Sequence, residues 1–135
     1  MSPVPARSRV TSGGRSIAGT EKKPGADVSR SDSASANTAA FAIEDAVQID
    51  AQLAVSAIGA GASITVKLQT ATDPATPDWV DAPGGAFPAQ TGTTTGVNRS
   101  FLAPGNVGRW VATIVQGPTP APIAWSIDTQ ARIAL

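Results

Sequence analysis

The 135-residue chain contains no cysteine, no histidine and no tyrosine. Without cysteine it can form neither disulfides nor thiolate metal sites, and without histidine it lacks the commonest general base and the commonest metal ligand. Serine and threonine are plentiful, but no G-x-S-x-G or S-x-x-K element activates one of them. Nothing in the pattern sets two carboxylates about a cleft, as glycoside hydrolysis needs. The expectation is a non-enzymatic protein, with no catalytic residue, no metal and no cofactor. No apolar run approaches the roughly 20 residues that cross a bilayer, and the opening MSPVPARSRV lacks an apolar signal core. The product is therefore expected to start in a cytoplasm and to engage no membrane.

Aromatic side chains are also scarce, with only Trp79, Trp110, Trp125, Phe41, Phe87 and Phe101. A chain of this length has room for one domain, and here its core is light. A thin core leaves a narrow stability margin, so a homo-oligomer or docking onto a larger body is an expected way to bury more surface.

Charge balances overall, at ten basic and ten acidic residues, but it is split along the chain. Residues 1–40 carry Arg7, Arg9, Arg15, Lys22, Lys23 and Arg30 against Glu21, Asp27 and Asp32. From 41 onward Lys67, Arg99, Arg109 and Arg132 face Glu44, Asp45, Asp50, Asp73, Asp78, Asp81 and Asp128. The first part is net positive and the second net negative.

Residues 1–38 are built from Ser, Gly, Pro, Ala and scattered charges, and alone such a segment cannot repay its ordering entropy. They read as an extended polar arm. Its few larger apolar groups, Val4, Val10, Ile17 and Val28, with Arg7, Arg9 and Arg15, are the expected anchors on a protein partner. Basic residues spread so widely, interleaved with acids and without aromatic stacking partners, disfavour nucleic acid and suit an acidic protein surface.

From 39 to 135 the texture is that of one β-domain. Period-2 alternation, the mark of half-buried strands, starts with Phe41 and Ile43 and then puts Val47, Ile49, Ala51, Leu53 and Val55 on one face. Ile64, Val66 and Leu68 alternate with Thr65, Lys67 and Gln69. Less marked extended pieces follow near Trp79, Phe87 and 93–102. Trp110, Ala112 and Ile114 share a face of RWVATIVQ, and Ile123, Trp125 and Ile127 supply the last clear strand. The predicted core is Ile49, Leu53, Ile64, Val66, Leu68, Trp110, Ile114, Trp125 and Ile127. The Ala-rich stretch 34–47, with Ser33 or Ser35 as a cap, offers a helix as a competing reading. Six to eight short strands separated by Gly and Pro turns predict an all-β fold, a single small β-sandwich or jelly roll after the extended arm.

The strand Ser63–Gln69 (SITVKLQ), the polar loop 70–78, the opening Trp79-Val80-Asp81, the later Gly108-Arg109-Trp110-Val111 and the final Trp125-Ser126-Ile127 make a larger pattern. Over residues 41–130 this layout resembles the capsid decoration or cement proteins of tailed bacteriophages. The resemblance implies a virion protein, made in the host bacterial cytoplasm, that binds the major capsid protein or other virion proteins in several copies. A tail, neck or baseplate component is the alternative within that class.

Two local clusters offer other chemistry. Trp79 with Asp78 and Asp81 could form a sugar platform, as in a carbohydrate-binding module of a phage fibre or bacterial surface protein. Against this, a chain so poor in aromatics needs Trp79, Trp110 and Trp125 as core fillers. Asp45 with Asp50, or Asp73 with Asp78 and Asp81, would supply oxygen ligands for calcium, but neither stretch has the D-x-D-x-D-G register. Turn capping and solubility are the simpler roles for these acids.

Overall fold

The alternation that opens at Phe41 is realised as strands, and so is the polar segment before it. A computed structural model describes residues 21–24, 27–43 and 46–133. In chain order its strands are β1 (Glu21–Pro24), β2 (Val28–Asp32), β3 (Ala36–Asn37), β4 (Phe41–Ala42), β5 (Ala46–Ala57), β6 (Ser63–Ala71), β7 (Val80–Ala86), β8 (Thr94–Leu102), β9 (Val107–Val115) and β10 (Ile123–Ile133). Among the described residues there is no helix. The Ala-rich stretch that offered one holds β3, β4 and the start of β5 instead, because Phe41, Ile43 and Ile49 are needed on an inward-facing sheet surface.

The strands form two antiparallel sheets. In sheet A, β10 lies between β5 and the pair β1 and β2, and β8 flanks β5. In sheet B, β9 lies between β6 and the pair β3 and β4, and β7 flanks β6. β1 and β2 are successive pieces along one edge of β10, as β3 and β4 are along one edge of β9. Counted that way the fold has eight strands. The chain switches sheets at nearly every connection, remaining in one sheet only through the β6–β7 hairpin. The resulting order is that of a jelly roll, a β-sandwich made of two interlocked Greek keys.

The expected division at residue 38 does not coincide with the edge of this body. β1, β2 and β3 lie on its arm side and pair with β10 and β9. The segment gave no period-2 signal because VSRSD shows only half-buried and exposed positions, as an edge strand does.

The inward faces meet in one cluster. Ile49, Leu53, Ile64, Val66, Leu68, Trp110, Trp125 and Ile127 are all buried, and Ile114 is half-buried against them. Trp110 is the hub: its ring lies 6.3 Å from Phe41, 6.2 Å from Phe87 and 5.6 Å from Phe101, centroid to centroid. The last two approaches are tilted and edge-on, geometries that place the positive rim of one ring toward the negative face of another.

The remaining side of the sandwich is closed by a bulge in β7. Between Gln69↔Asp81 and Lys67↔Ala86, one residue of β6, Leu68, stands against four of β7, 82–85, and the excess leans onto β8. Gly84, at φ 127°, makes this approach possible. A Cβ there would lie 2.8 Å from the carbonyl oxygen of Ser100.

Trp110→Ala is expected to cost about 3–5 kcal/mol, since it removes the largest fully buried side chain and leaves three phenyl rings facing a cavity. Thermal melting would measure it; an unchanged midpoint would place the indole outside the cooperative core. Deleting residues 2–35 removes β1 and β2 from the edge of β10 and is expected to abolish cooperative melting or cause aggregation. Circular dichroism with light scattering reads either outcome.

Candidate functional site

The polar residues of the N-terminal segment fasten it to the body. Between β1 and β2 the backbone pairing along β10 breaks, and Asp27 fills the gap, its Oδ1 accepting the Thr129 N–H at 2.9 Å. Between β3 and β4 the same device recurs. Thr38 donates its N–H to the Trp110 carbonyl at 2.9 Å, and its Oγ1 accepts the Trp110 N–H at 3.0 Å. Ser35 Oγ accepts the Ile114 N–H at 2.9 Å, and Gln116 Nε2 donates to the Ser33 carbonyl at 2.7 Å. Short polar side chains here replace ladder hydrogen bonds that an interrupted strand cannot make.

A charged clamp holds β2. Arg30 stands opposite Trp125, and Asp32 opposite Ile123. Arg30 Nε and Nη2 donate to the two oxygens of Asp32 at 2.9 and 3.0 Å, and Trp125 Nε1 donates to Asp32 Oδ2 at 3.0 Å. The indole that fills the core on one side is thus tied by its polar edge to the N-terminal strand. Arg30 is the main cause that holds the Asp32 carboxyl below its ordinary range, with Trp125 adding to it against the opposing effect of burial.

Of the expected anchors, Val28 lies in β2, paired with Ile127 and packed against this domain's own core. It is half-buried, so its apolar surface serves the sandwich. Val4, Arg7, Arg9, Val10, Arg15 and Ile17 lie outside the described residues. The chain leads back to them from Glu21, which pairs with Ile133 at the far end of β10.

Trp79 is neither a core filler nor an open platform. The Arg109 guanidinium lies over its ring, 4.5 Å from the centroid. Arg109 Nε and Nη2 donate to Gln69 Oε1, Gln69 Nε2 donates to Asp81 Oδ1 at 3.0 Å, and Lys67 pairs with Asp81. Trp79 and Asp81 therefore close a polar network on the outer face of sheet B. Asp73 caps a turn, accepting from the Ala75 N–H at 2.9 Å and the Thr76 hydroxyl at 2.8 Å. Among the described residues no three of His, Cys, Asp and Glu gather at one point; Asp45 lies outside them.

The outer face of sheet A is different. A concavity of about 720 Å³ runs across β8, β5 and β10. Strand register sorts its side chains into rows: Asn98, Gln52 and Asp128 in one, and Ser100, Asp50 and Gln130 in the next. Asp50 accepts from Gln48 and Ser100 at 2.7 Å each and pairs with Arg132 at 2.6 Å. Burial pushes the Asp50 carboxyl up, and the hydrogen bonds from Gln48, Ser100 and Arg132 together outweigh it, leaving the group below its ordinary range. Sequence reading missed this face. Polar residues at alternate positions are what any solvated strand presents, and only the register shows which of them stand side by side.

No family model, curated protein or solved structure matches the chain.

Because the folded Asp32 carboxyl titrates below its unfolded range, its contribution is fully present above about pH 3.9 and is lost as pH falls through the folded value. Asp32→Asn is expected to cost about 1–3 kcal/mol at neutral pH. It should also flatten the acid limb of stability against pH, measured by urea unfolding between pH 2 and 7. An unaltered acid limb would show that the clamp does not set it.

Proposed function

We propose that the protein is a structural component of a virus particle, a decoration or cement protein that binds the outer surface of a bacteriophage head. The observation that carries this reading is the seam. β1 to β4 are built into the edges of both sheets, which fixes Glu21, the residue that follows 1–20, on the body. Residues 1–20 include Arg7, Arg9 and Arg15 and no acid, whereas the chain from 41 onward is net negative. A basic tether of this kind suits an acidic protein surface, and an extended chain can add a strand to an exposed sheet edge there. The jelly-roll order, shared by many capsid domains and by lectins, is compatible support at the level of fold. The resemblance of residues 41–130 to phage decoration proteins points the same way.

Purified protein is expected to bind particles assembled without it, to saturation, and to bind less as salt rises. Replacing Arg7, Arg9 and Arg15 by Glu should reduce occupancy at least about tenfold at low salt while leaving the melting midpoint in place. Co-sedimentation followed by gel quantitation reads both. Full occupancy by the triple variant would move the main contact to the β-domain, and failure of the unaltered protein to bind would sink the virion reading.

A further inference from the structure

We infer that the outer face of sheet A is a binding site for a neutral, polyhydroxylated ligand, an oligosaccharide chain lying across β8, β5 and β10. The concavity of about 720 Å³ falls within the range of small-ligand sites and is built on three adjacent strands of one sheet, a rigid floor.

Its side chains divide into two groups. Asp50 is fully engaged with Gln48, Ser100 and Arg132, and that cluster neutralises its own charge. In the neighbouring row the side chains of Asn98, Gln52 and Asp128 are exposed and make no side-chain hydrogen bond or ion pair among the described residues. Two amides and a carboxylate offer donors and acceptors together, the mixture that sugar hydroxyls satisfy by donating and accepting in turn. Adjacent strands stand about 4.8 Å apart, a spacing comparable to the advance of one pyranose unit along an extended glycan.

The floor also has room where it is needed. Gly96 lies under the Gln52 amide, and a Cβ there would sit 2.6 Å from Gln52 Nε2. A side chain at 96 would displace the amide from the row. Ala51, the one aliphatic residue at the lining, turns its side chain to the core, so the outer face offers polar groups and disfavours an apolar ligand. With the Asp50–Arg132 pair internally balanced, no run of like charge selects a strongly ionic one. This site is separate from Trp79, whose ring lies under Arg109 on the other sheet. Lacking an aromatic platform, it is expected to bind at about millimolar affinity per site.

The test uses the full chain, labelled with nitrogen-15 and titrated with neutral tetrasaccharides of glucose, galactose, mannose and N-acetylglucosamine up to about 10 mM. At least one should give saturable shifts centred on Asn98, Gln52 and Asp128, insensitive to added salt because the ligand is uncharged. Asn98→Ala and Asp128→Ala should each weaken binding about tenfold without moving the melting midpoint, and Trp79→Ala should leave it unchanged. Absence of saturable shifts with all four sugars, shifts centred on Trp79, or binding indifferent to both row substitutions would each overturn the assignment.

Discussion

The indole of Trp110 is fully buried, and Phe41, Phe87 and Phe101 reach it from three separate stretches of the chain. A sequence with six aromatic side chains has placed four of them at one point. Elsewhere, Trp125 apart, the two sheets meet through Ile, Leu, Val and Ala, which fill a thin layer well but bring little area each. The position of every strand that touches Trp110 is therefore tightly constrained. β4 must deliver Phe41, the β7 bulge must bring the chain round to Phe87, and β8 must present Phe101 inward. Thr38, hydrogen-bonded to both backbone groups of Trp110, fixes the strand that carries the indole.

The same economy governs the edges. An open sandwich exposes strand edges to other chains, and this one closes them with its own polar residues. On one side the N-terminal segment passes from sheet A to sheet B, bridging its breaks with Asp27, Ser35 and Thr38. On the other, the β7 bulge leans over β8, where Arg99 Nε donates to the Gly84 carbonyl. Neither closure adds much to the apolar core. Both satisfy backbone groups that would otherwise be free to pair elsewhere.

Sequence periodicity was a reliable guide wherever one face of a strand is buried and the other wet. The inward rows of β5, β6, β9 and β10 were legible because burial writes a period of two into the choice of residue. It failed where that rule does not hold. β2 and β3 are edge pieces with half-buried and exposed positions, so their composition is that of a loop, and they were read, with β1, as part of an arm. Trp79 was read as a core filler on the scarcity of aromatics alone; its true partner, Arg109, lies thirty residues on and becomes a neighbour only through strand pairing. The outer row Asn98, Gln52 and Asp128 was invisible for the same reason, being assembled from three strands.

The seam joins segments far apart along the chain. Glu21 pairs with Ile133, and the Asp27–Thr129 hydrogen bond spans 102 positions. During synthesis β1 and β2 leave the ribosome well before β10, the edge they must cover. Until then β2 has no ladder to join and Asp32 no indole to hold. Such contacts, spanning 102 positions for Asp27 and Thr129, slow folding, and they leave β1 and β2 without their ladder until β10 is made. Closure of the sandwich thus waits on the synthesis of β10.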